Sequence, residues 1–342
     1  MKPVRASASA IVIGGGVIGL FTAWRLRDAG FCVTVIERGR IGSSASWAAG
    51  GILSPLPPWQ AAEAVWKLAA SSIAAYPDLV AQLHEASGID PEWTRCGMRV
   101  QGEKKPDAAL RWAAGMGLAI ERGAADVLHL PWVAQLRSPR LLKALRGHLG
   151  QLGVEWHEQA TVAGFSTHAG RVQAVCLADG TSLSADVIVL CAGAWSGELG
   201  ALAALTLPVA PVRGQMLLFK AAPGLLHEII LDGGHYLIPR RDGSILVGST
   251  LEHVGFNDTI TAQARVQLLE AAYSLLPALQ ACSVSHHWAA LRPGSDQGVP
   301  IIEKAAGLGN LFINTGHFRN GITLAPASAI QLAALVGATQ AG

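Results

Sequence analysis

Ile11-Val12-Ile13-Gly14-Gly15-Gly16-Val17-Ile18-Gly19 is followed, after a stretch of helical length and Gly30, by the apolar run Val33-Thr34-Val35-Ile36, which ends in an acid, Glu37. An apolar run that stops at G-x-G-x-x-G reads as a buried parallel strand turning sharply into a helix. Gly14 can adopt a backbone that a side chain would forbid, and Gly16 leaves room for a pyrophosphate to approach the main chain. Gly19 lets the helix from about Val17 to Ala29 pack close against the strand. The helix start, with Val17 and Ile18, offers unpaired N–H groups and a partial positive charge to a diphosphate. Glu37 stands about 20 residues past the turn, where a carboxylate accepts hydrogen bonds from ribose hydroxyls and repels a 2′-phosphate. A glycine-rich turn without any ligand is the plainer reading. Strand, helix, glycine stop, second strand and terminal acid in one unit favour an adenine dinucleotide without a 2′-phosphate.

Composition narrows the class. With 342 residues, 51% of them hydrophobic, the chain can fill a sizeable core and suits two domains. Charged residues make up 15% and the net charge is +2, so no strong field invites nucleic acid or an anionic membrane. No apolar run of membrane-spanning length is expected, because the longest candidate, Leu199 to Val212, carries Pro208 and Pro211. Lys2 and Arg5 before an apolar stretch resemble the start of a signal peptide, but that stretch is the glycine turn and no small-residue cleavage site follows. A cytoplasmic protein is the expectation. Cys32, Cys96, Cys176, Cys191 and Cys282 are scattered and never form C-x-x-C, which argues against disulfides and zinc. His286-His287 lacks partners at ligand spacing, so no metal is expected.

Along the chain, strand, helix and strand lead to the small-residue stretch Ser43 to Gly51, and Pro55-Leu56-Pro57-Pro58 marks a reversal. Two helical patterns follow, Ala61 to Ala75 and Asp78 to Ser87, then a charged region to about residue 137 and a helix from Arg140 to Leu152. Strands return at Val154 to His157, Val162 to Thr167, Arg171 to Leu177 and the fully apolar Val187 to Leu190. That last run ends in Cys191-Ala192-Gly193-Ala194-Trp195, small residues where a backbone can again approach a cofactor. From Val209 to about Trp288 the pattern is antiparallel strands (Met216 to Phe219, Tyr236 to Pro239, Ile245 to Ser249) with a helix from Thr261 to Leu275. The tail from Leu311 to Ala341 returns to strand, glycine turn and helix. The expected fold is α/β, a Rossmann-like nucleotide domain built from residues 1–76, 138–208 and 289–342, with a largely antiparallel α+β substrate domain inserted as residues 77–137 and 209–288.

Six stretches, in this order, carry a resemblance. The opening glycine motif with Glu37, ASWAAGGILSP (Ala45 to Pro55), VLCAGAWSG (Val189 to Gly197), HYLIPR (His235 to Arg240), LRPGSDQGVPIIE (Leu291 to Glu303) and GHFRNGITLAP (Gly316 to Pro326) are similar to those of the FAD-dependent D-amino-acid oxidase family, in particular its branch that oxidises glycine for bacterial thiazole synthesis. The resemblance spans nearly the whole chain. It implies noncovalent FAD, because no cysteine lies between Arg292 and Arg319, where sarcosine oxidases of the same family attach their flavin. It also implies hydride transfer from a small amine (glycine, sarcosine or D-alanine) to the flavin, oxygen as the final acceptor, hydrogen peroxide as a product, and a homo-oligomer, a tetramer among the options.

By the same resemblance Arg292, just before Pro293-Gly294, binds the substrate carboxylate, and a planar, permanently charged fork suits that task better than a lysine. The plainer alternative for Arg292 is a structural ion pair. Tyr236 resembles the tyrosine whose hydroxyl touches the same carboxylate, although a strand tyrosine is commonly core with a wet tip. Arg319 resembles the second basic residue at the substrate end. Gly316, Asn320, Gly321, Ile322 and Thr323 resemble the loop that wraps the flavin ring, and His317 is expected to shape that loop. Ser44, Ala45, Ser46, Ala49, Gly50 and Gly51 are expected beside the diphosphate and the ring edge, with Arg38, Val162, Ala192, Gly193 and Trp195 completing the cofactor set. In two places the chain departs from the family, with Gly51-Ile52 and Leu251 standing where pocket methionines are expected, which suggests an altered pocket. A dehydrogenase using quinone, a nicotinamide-dependent enzyme and a nonenzymatic sensor remain as alternatives; only the first also explains the C-terminal loop.

Overall fold

The computed structural model describes residues 8–340, so Lys2 and Arg5, on which the reading of the N-terminus turned, and Ala341 at the tail lie outside it. Strand Ser9–Ile13 runs into helix Val17–Asp28, and strand Cys32–Ile36 returns parallel to the first. They belong to a six-stranded sheet in the order Ile301–Lys304, Leu311–Thr315, Val187–Leu190, Ser9–Ile13, Cys32–Ile36, Glu155–His157. All pairs in it are parallel except at the edge strand Ile301–Lys304. Strand alternation explains why Val187–Leu190 is apolar throughout. Ala10, Val12, Val33, Val35, Val187 and Val189 pack on one face beneath the helices, while Ile11, Ile13, Ile36, Ile188 and Leu190 pack on the other against a three-stranded sheet bearing Val172, Val175 and Leu177. The C-terminal ends at Ile13, Ile36, Leu190 and Thr315 lie at one edge, the place where open α/β sheets bind ligands.

A second, eight-stranded sheet stands over that edge. Its order is Ser283–Gly294, Ala210–Lys220, Ile245–Gly248, His235–Pro239, Ile229–Asp232, Met98–Gln101, Leu128–Leu130, Glu121–Arg122, antiparallel except between Ile229–Asp232 and Met98–Gln101. Leu217, Phe219, Leu237 and Val247 face helix Ala262–Leu275, whose N-cap Thr261 accepts the Ala264 N–H. On the opposite face, Met216 and Tyr236 look toward the nucleotide sheet.

Tertiary packing changes several expected elements. The two patterns Ala61 to Ala75 and Asp78 to Ser87 are one helix, Glu63–Ser87, continuing through Pro77. Proline forfeits one helical hydrogen bond, and burial of Tyr76, Leu79 and Leu83 around it outweighs that loss. The short run Met216 to Phe219 is the middle of strand Ala210–Lys220, paired along its length with the unexpected strand Ser283–Gly294. Two expected boundaries, 76/77 and 288/289, fall inside helix Glu63–Ser87 and strand Ser283–Gly294, and Arg292 stands on the antiparallel sheet. The sequence holds no uninterrupted apolar run of spanning length, as expected, but one helix passes on average composition. Helix Gly321–Gln340, with the turn before it, is long and apolar enough by length and composition. In this fold Leu324, Ala325, Ala329, Leu332 and Val336 are buried in the core, which accounts for its composition.

Candidate active site

The cleft between the two sheets consists of two adjoining cavities that share Gly16, Ala45, Ser46, Cys191 and Gly193 in their walls. The nucleotide end, about 330 Å³, is lined by Gly14, Gly16, Glu37, Arg38, Ser44, Ala45, Ser46, Val162, Ala192, Gly193 and Trp195. Gly14 has φ +114°, and a Cβ there would lie 2.3 Å from the Cys191 carbonyl oxygen. A Cβ on Gly19 would lie 1.9 Å from the Gly14 carbonyl oxygen, so this glycine serves helix-to-strand packing and does not line the cleft. A Cβ on Gly16 would meet only the Ser46 hydroxyl, at 3.1 Å, and the space over it opens into both cavities. Ser46 Oγ accepts the Val17 N–H at 3.0 Å. The Glu37 carboxylate clamps its own turn, accepting from the Gly15 N–H at 2.8 Å and the Gly39 N–H at 2.9 Å. Each carboxylate oxygen keeps a second lone pair for a ligand. The Arg38 guanidinium lies 3.4 Å from the centre of the Trp195 ring, which stacks in turn on Phe256.

These features fit an FAD dinucleotide: a helix start that opens into the cleft at Gly16, although Ser46 takes the Val17 N–H expected to be unpaired, a cradle that a Cβ would fill, and a carboxylate at the second strand's end. Of the five cysteines, Cys191 alone lines the cleft, and burial pushes its thiol up to about 12, which leaves it protonated and unreactive.

The other cavity, about 150 Å³, is walled by Val17, Ile18, Ala49, Gly50, Gly214, Met216, Tyr236, Ala290, Arg292, His317, Arg319, Gly321 and Ile322 among others. Arg292 is held by neutral groups. Nη1 donates to the Thr250 carbonyl at 3.1 Å and Nη2 to Ser249 Oγ at 2.7 Å. Among the described residues no carboxylate lies within ion-pair distance of it, which removes the structural ion pair as its explanation. Burial lowers its basicity, and the neighbouring Arg319 adds to the effect. Glu252, the nearest acid of consequence, is engaged elsewhere: it takes Arg213 Nη2 at 2.6 Å, Gln215 Nε2 at 2.9 Å and Thr250 Oγ1 at 2.6 Å. Burial alone would raise its carboxyl, but those donors outweigh burial and hold it below the usual range. Tyr236 is buried, its hydroxyl 4.0 Å from Met216 Sδ, while Arg319 is exposed at the rim.

Other expected site residues serve the scaffold. Gly51, with φ +74°, has its Cβ space taken by the Leu136 carbonyl, so the close approach there is by the chain's own backbone. Gly316 has φ +77° and its carbonyl accepts from Ser295 Oγ; Asn320 N–H closes the turn onto the His317 carbonyl at 2.9 Å; Thr323 Oγ1 donates to the Ile52 carbonyl at 3.0 Å. None of the four lines either cavity. His317 is buried, with Nε2 2.7 Å from Ser328 Oγ, which donates to Asn314 Oδ1. Since Ser328 spends its proton on Asn314, Nε2 carries the hydrogen, and burial pushes the ring down to about 3. Neither Ile52 nor Leu251 lines the pocket: Ile52 is core and Leu251 is surface. Met216 takes the place expected of them. Arg240 also escaped the sequence reading. It is buried, donates to Gln135 Oε1, the Leu136 carbonyl and the Gly50 carbonyl, and burial draws it down to about 10. Its place directly after Pro239 was the available signal.

Comparison with known proteins agrees with this geometry. The model of the DAO family, FAD dependent oxidoreductase, matches residues 9–335. The chain is similar to a glycine oxidase of Pseudomonas putida, 44% identical over 94% of this chain and 92% of that protein. It is similar also to the bifunctional protein ThiO/ThiG of Trichormus variabilis, 33% identical over 94% of this chain and 52% of that protein. The crystal structure of a glycine oxidase from Geobacillus kaustophilus superposes with a TM-score of 0.90 at 26% identity, covering 97% of this chain and 95% of that one. The chain belongs to the DAO family of FAD-dependent oxidoreductases.

Proposed function

We propose that the protein oxidises glycine and related small amines such as sarcosine and D-alanine, with oxygen as the electron acceptor. The substrate loses a hydride from Cα and a proton from the amine nitrogen to give the imine, which water converts to the 2-oxo acid with release of ammonia (methylamine from sarcosine); oxygen takes up the two electrons and two protons as hydrogen peroxide. The observation that carries this reading is Arg292, a half-buried guanidinium with only neutral partners, facing a small cavity beside Tyr236 and continuous with the dinucleotide cleft. A half-buried charge without a counterion favours a ligand that brings one.

Bound FAD supplies the two-electron acceptor. In this proposal Arg292 grips the carboxylate by two parallel hydrogen bonds, Tyr236 adds a third donor, and Arg319 closes the rim. No carboxylate lines this cavity, and two guanidinium groups face it. Their field opposes an ammonium and favours the neutral amine, so the proton leaves to solvent and the side chains need only bind and orient. His317, tied through Nε2–H to Ser328 and weakly basic, is poorly suited to act as the base.

The residues assigned to the cofactor are those expected from the sequence, now with Gly19, Gly51, Gly316, Asn320 and Thr323 supporting the walls and the others facing the cleft. The two-unit division, a cytoplasmic location, a homo-oligomer and delivery of the imine to thiazole formation belong to the same proposal. Acid precipitation should leave a yellow supernatant, and glycine should release peroxide. Reduction of an artificial acceptor without peroxide would favour a dehydrogenase, and a colourless protein after FAD supply would end the reading. Light scattering tests the oligomer.

A further inference from the structure

Arg292 and Tyr236 each lie over a glycine of a neighbouring strand. Val212 pairs with Arg292 and Gly214 with Ala290, so strand alternation puts Arg292 and Gly214 on the same cavity-facing side. A Cβ on Gly214 would stand 2.1 Å from both Nη atoms and 2.2 Å from Cζ of Arg292. The guanidinium therefore occupies the volume that any side chain at residue 214 would need. One line further, Gly248 pairs with both Met216 and Tyr236, and its Cβ would stand 2.7 Å from Cε2 and Cζ and 2.8 Å from the hydroxyl of Tyr236. Neither glycine has a positive φ, so a left-handed backbone explains neither. A glycine inside a strand weakens the sheet. Two of them under the two candidate carboxylate-binding residues answer a need for space.

We propose that Gly214 and Gly248 are positioning residues, forming seats in the sheet that hold the Arg292 fork and the Tyr236 hydroxyl where a substrate carboxylate meets both. Gly214 sets the height of the fork above the sheet. Gly248 lets the Tyr236 ring lie flat across its own strand neighbour. The proposal rests on the reading of Arg292 as the carboxylate anchor.

The holoenzyme Gly214→Ala variant tests it, with acetate as a carboxylate probe followed by the change in the FAD absorption band, alongside glycine kinetics. Acetate binding should weaken about tenfold or more, and the KM for glycine should rise more than kcat falls, since a displaced fork misplaces its ligand. FAD affinity should stay within about twofold. In an Arg292→Lys background, whose slim ammonium leaves the volume free, adding Gly214→Ala should cost less than about twofold, a non-additivity that general sheet damage does not produce. Equal losses in both backgrounds, or no loss in the first, would overturn the proposal. If Gly214→Ala alone does not fold, Gly214→Ala with Arg292→Ala decides: recovery of a folded, FAD-binding protein supports the seat, and failure to recover rejects it. Arg292→Ala that binds acetate like the unaltered enzyme removes the anchor reading itself, and the proposal with it; loss of binding there with none in Gly214→Ala rejects the seat alone.

Discussion

The two ends of the cleft use glycine for opposite purposes. At the nucleotide end, Gly14 needs its φ of +114° and Gly19 its contact with the Gly14 carbonyl, so glycine there lets backbone meet backbone. At the other end, neither Gly214 nor Gly248 has a positive φ, and both leave room for other residues' side chains. The first use follows from local geometry and has a local spacing in the sequence. The second depends on which strand lies alongside. Two arginines on adjacent, directly paired strands teach the same lesson: Arg213 is neutralised by Glu252 at 2.6 Å and holds the sheet together, whereas Arg292 has only neutral partners.

If the ends are separable, variants should split substrate effects from cofactor effects. The largest is expected from Arg292→Ala, which should lower kcat/KM for glycine by about 2–5 kcal/mol of transition-state binding, because the carboxylate loses its charged partner. Arg292→Lys should recover part of that, and FAD content should hold. Steady-state kinetics with glycine, sarcosine and D-alanine check this; an Ala variant within a few-fold of the parent on all three would break the assignment.

His317 sits in the wall of the smaller cavity and tests whether its buried neutrality is structural. Its pKa falls from 6.5 in the unfolded chain to about 3 on folding, so its contribution is whole above pH 6.5 and is lost as pH drops toward 3. Between pH 6.5 and 4.5 that amounts to about 2–3 kcal/mol. Denaturant unfolding of the apoprotein should fall more steeply over this range than that of His317→Asn; parallel curves would contradict the burial argument.

Gly19→Ala should act at the other end. With its Cβ placed 1.9 Å from a carbonyl oxygen, overpacking should cost about 1–3 kcal/mol and weaken FAD retention, with the KM for glycine of the FAD-loaded fraction unchanged. Thermal unfolding with and without FAD, plus kinetics, tests the split. The smallest effect is expected from Arg38→Ala, where loss of the contact over Trp195 should reduce FAD affinity by about 0.5–1 kcal/mol. A titration that detects no change would mean the stack is idle; a change in the KM for glycine would blur the two ends.

Much of the fold was legible because its signals are local. Helix Val17–Asp28, strands Arg171–Leu177 and Val187–Leu190 and the helix at Ala262–Leu275 lie within a residue or so of where periodicity and punctuation put them. Pro77 misled for the same reason. Its local cost is visible in the sequence, and the burial that offsets it depends on neighbours far along the chain.

The sequence by itself determined the dinucleotide turn and the acid that ends the second strand, since each depends on residue type at a short spacing, and by resemblance it singled out Arg292, Tyr236 and Arg319 as candidates. Only the tertiary structure decided which of two nearby arginines is left without a counterion, that Met216 rather than Ile52 or Leu251 walls the pocket, that Arg240 clamps the Gly50 carbonyl, and that Gly51 faces Leu136 rather than a ligand. The physical reason is that charge compensation, burial and steric room are set by atoms brought together from distant parts of the chain. Strand register between Ala210–Lys220, Ile245–Gly248, His235–Pro239 and Ser283–Gly294 assembles those atoms, and no spacing within a single segment records it.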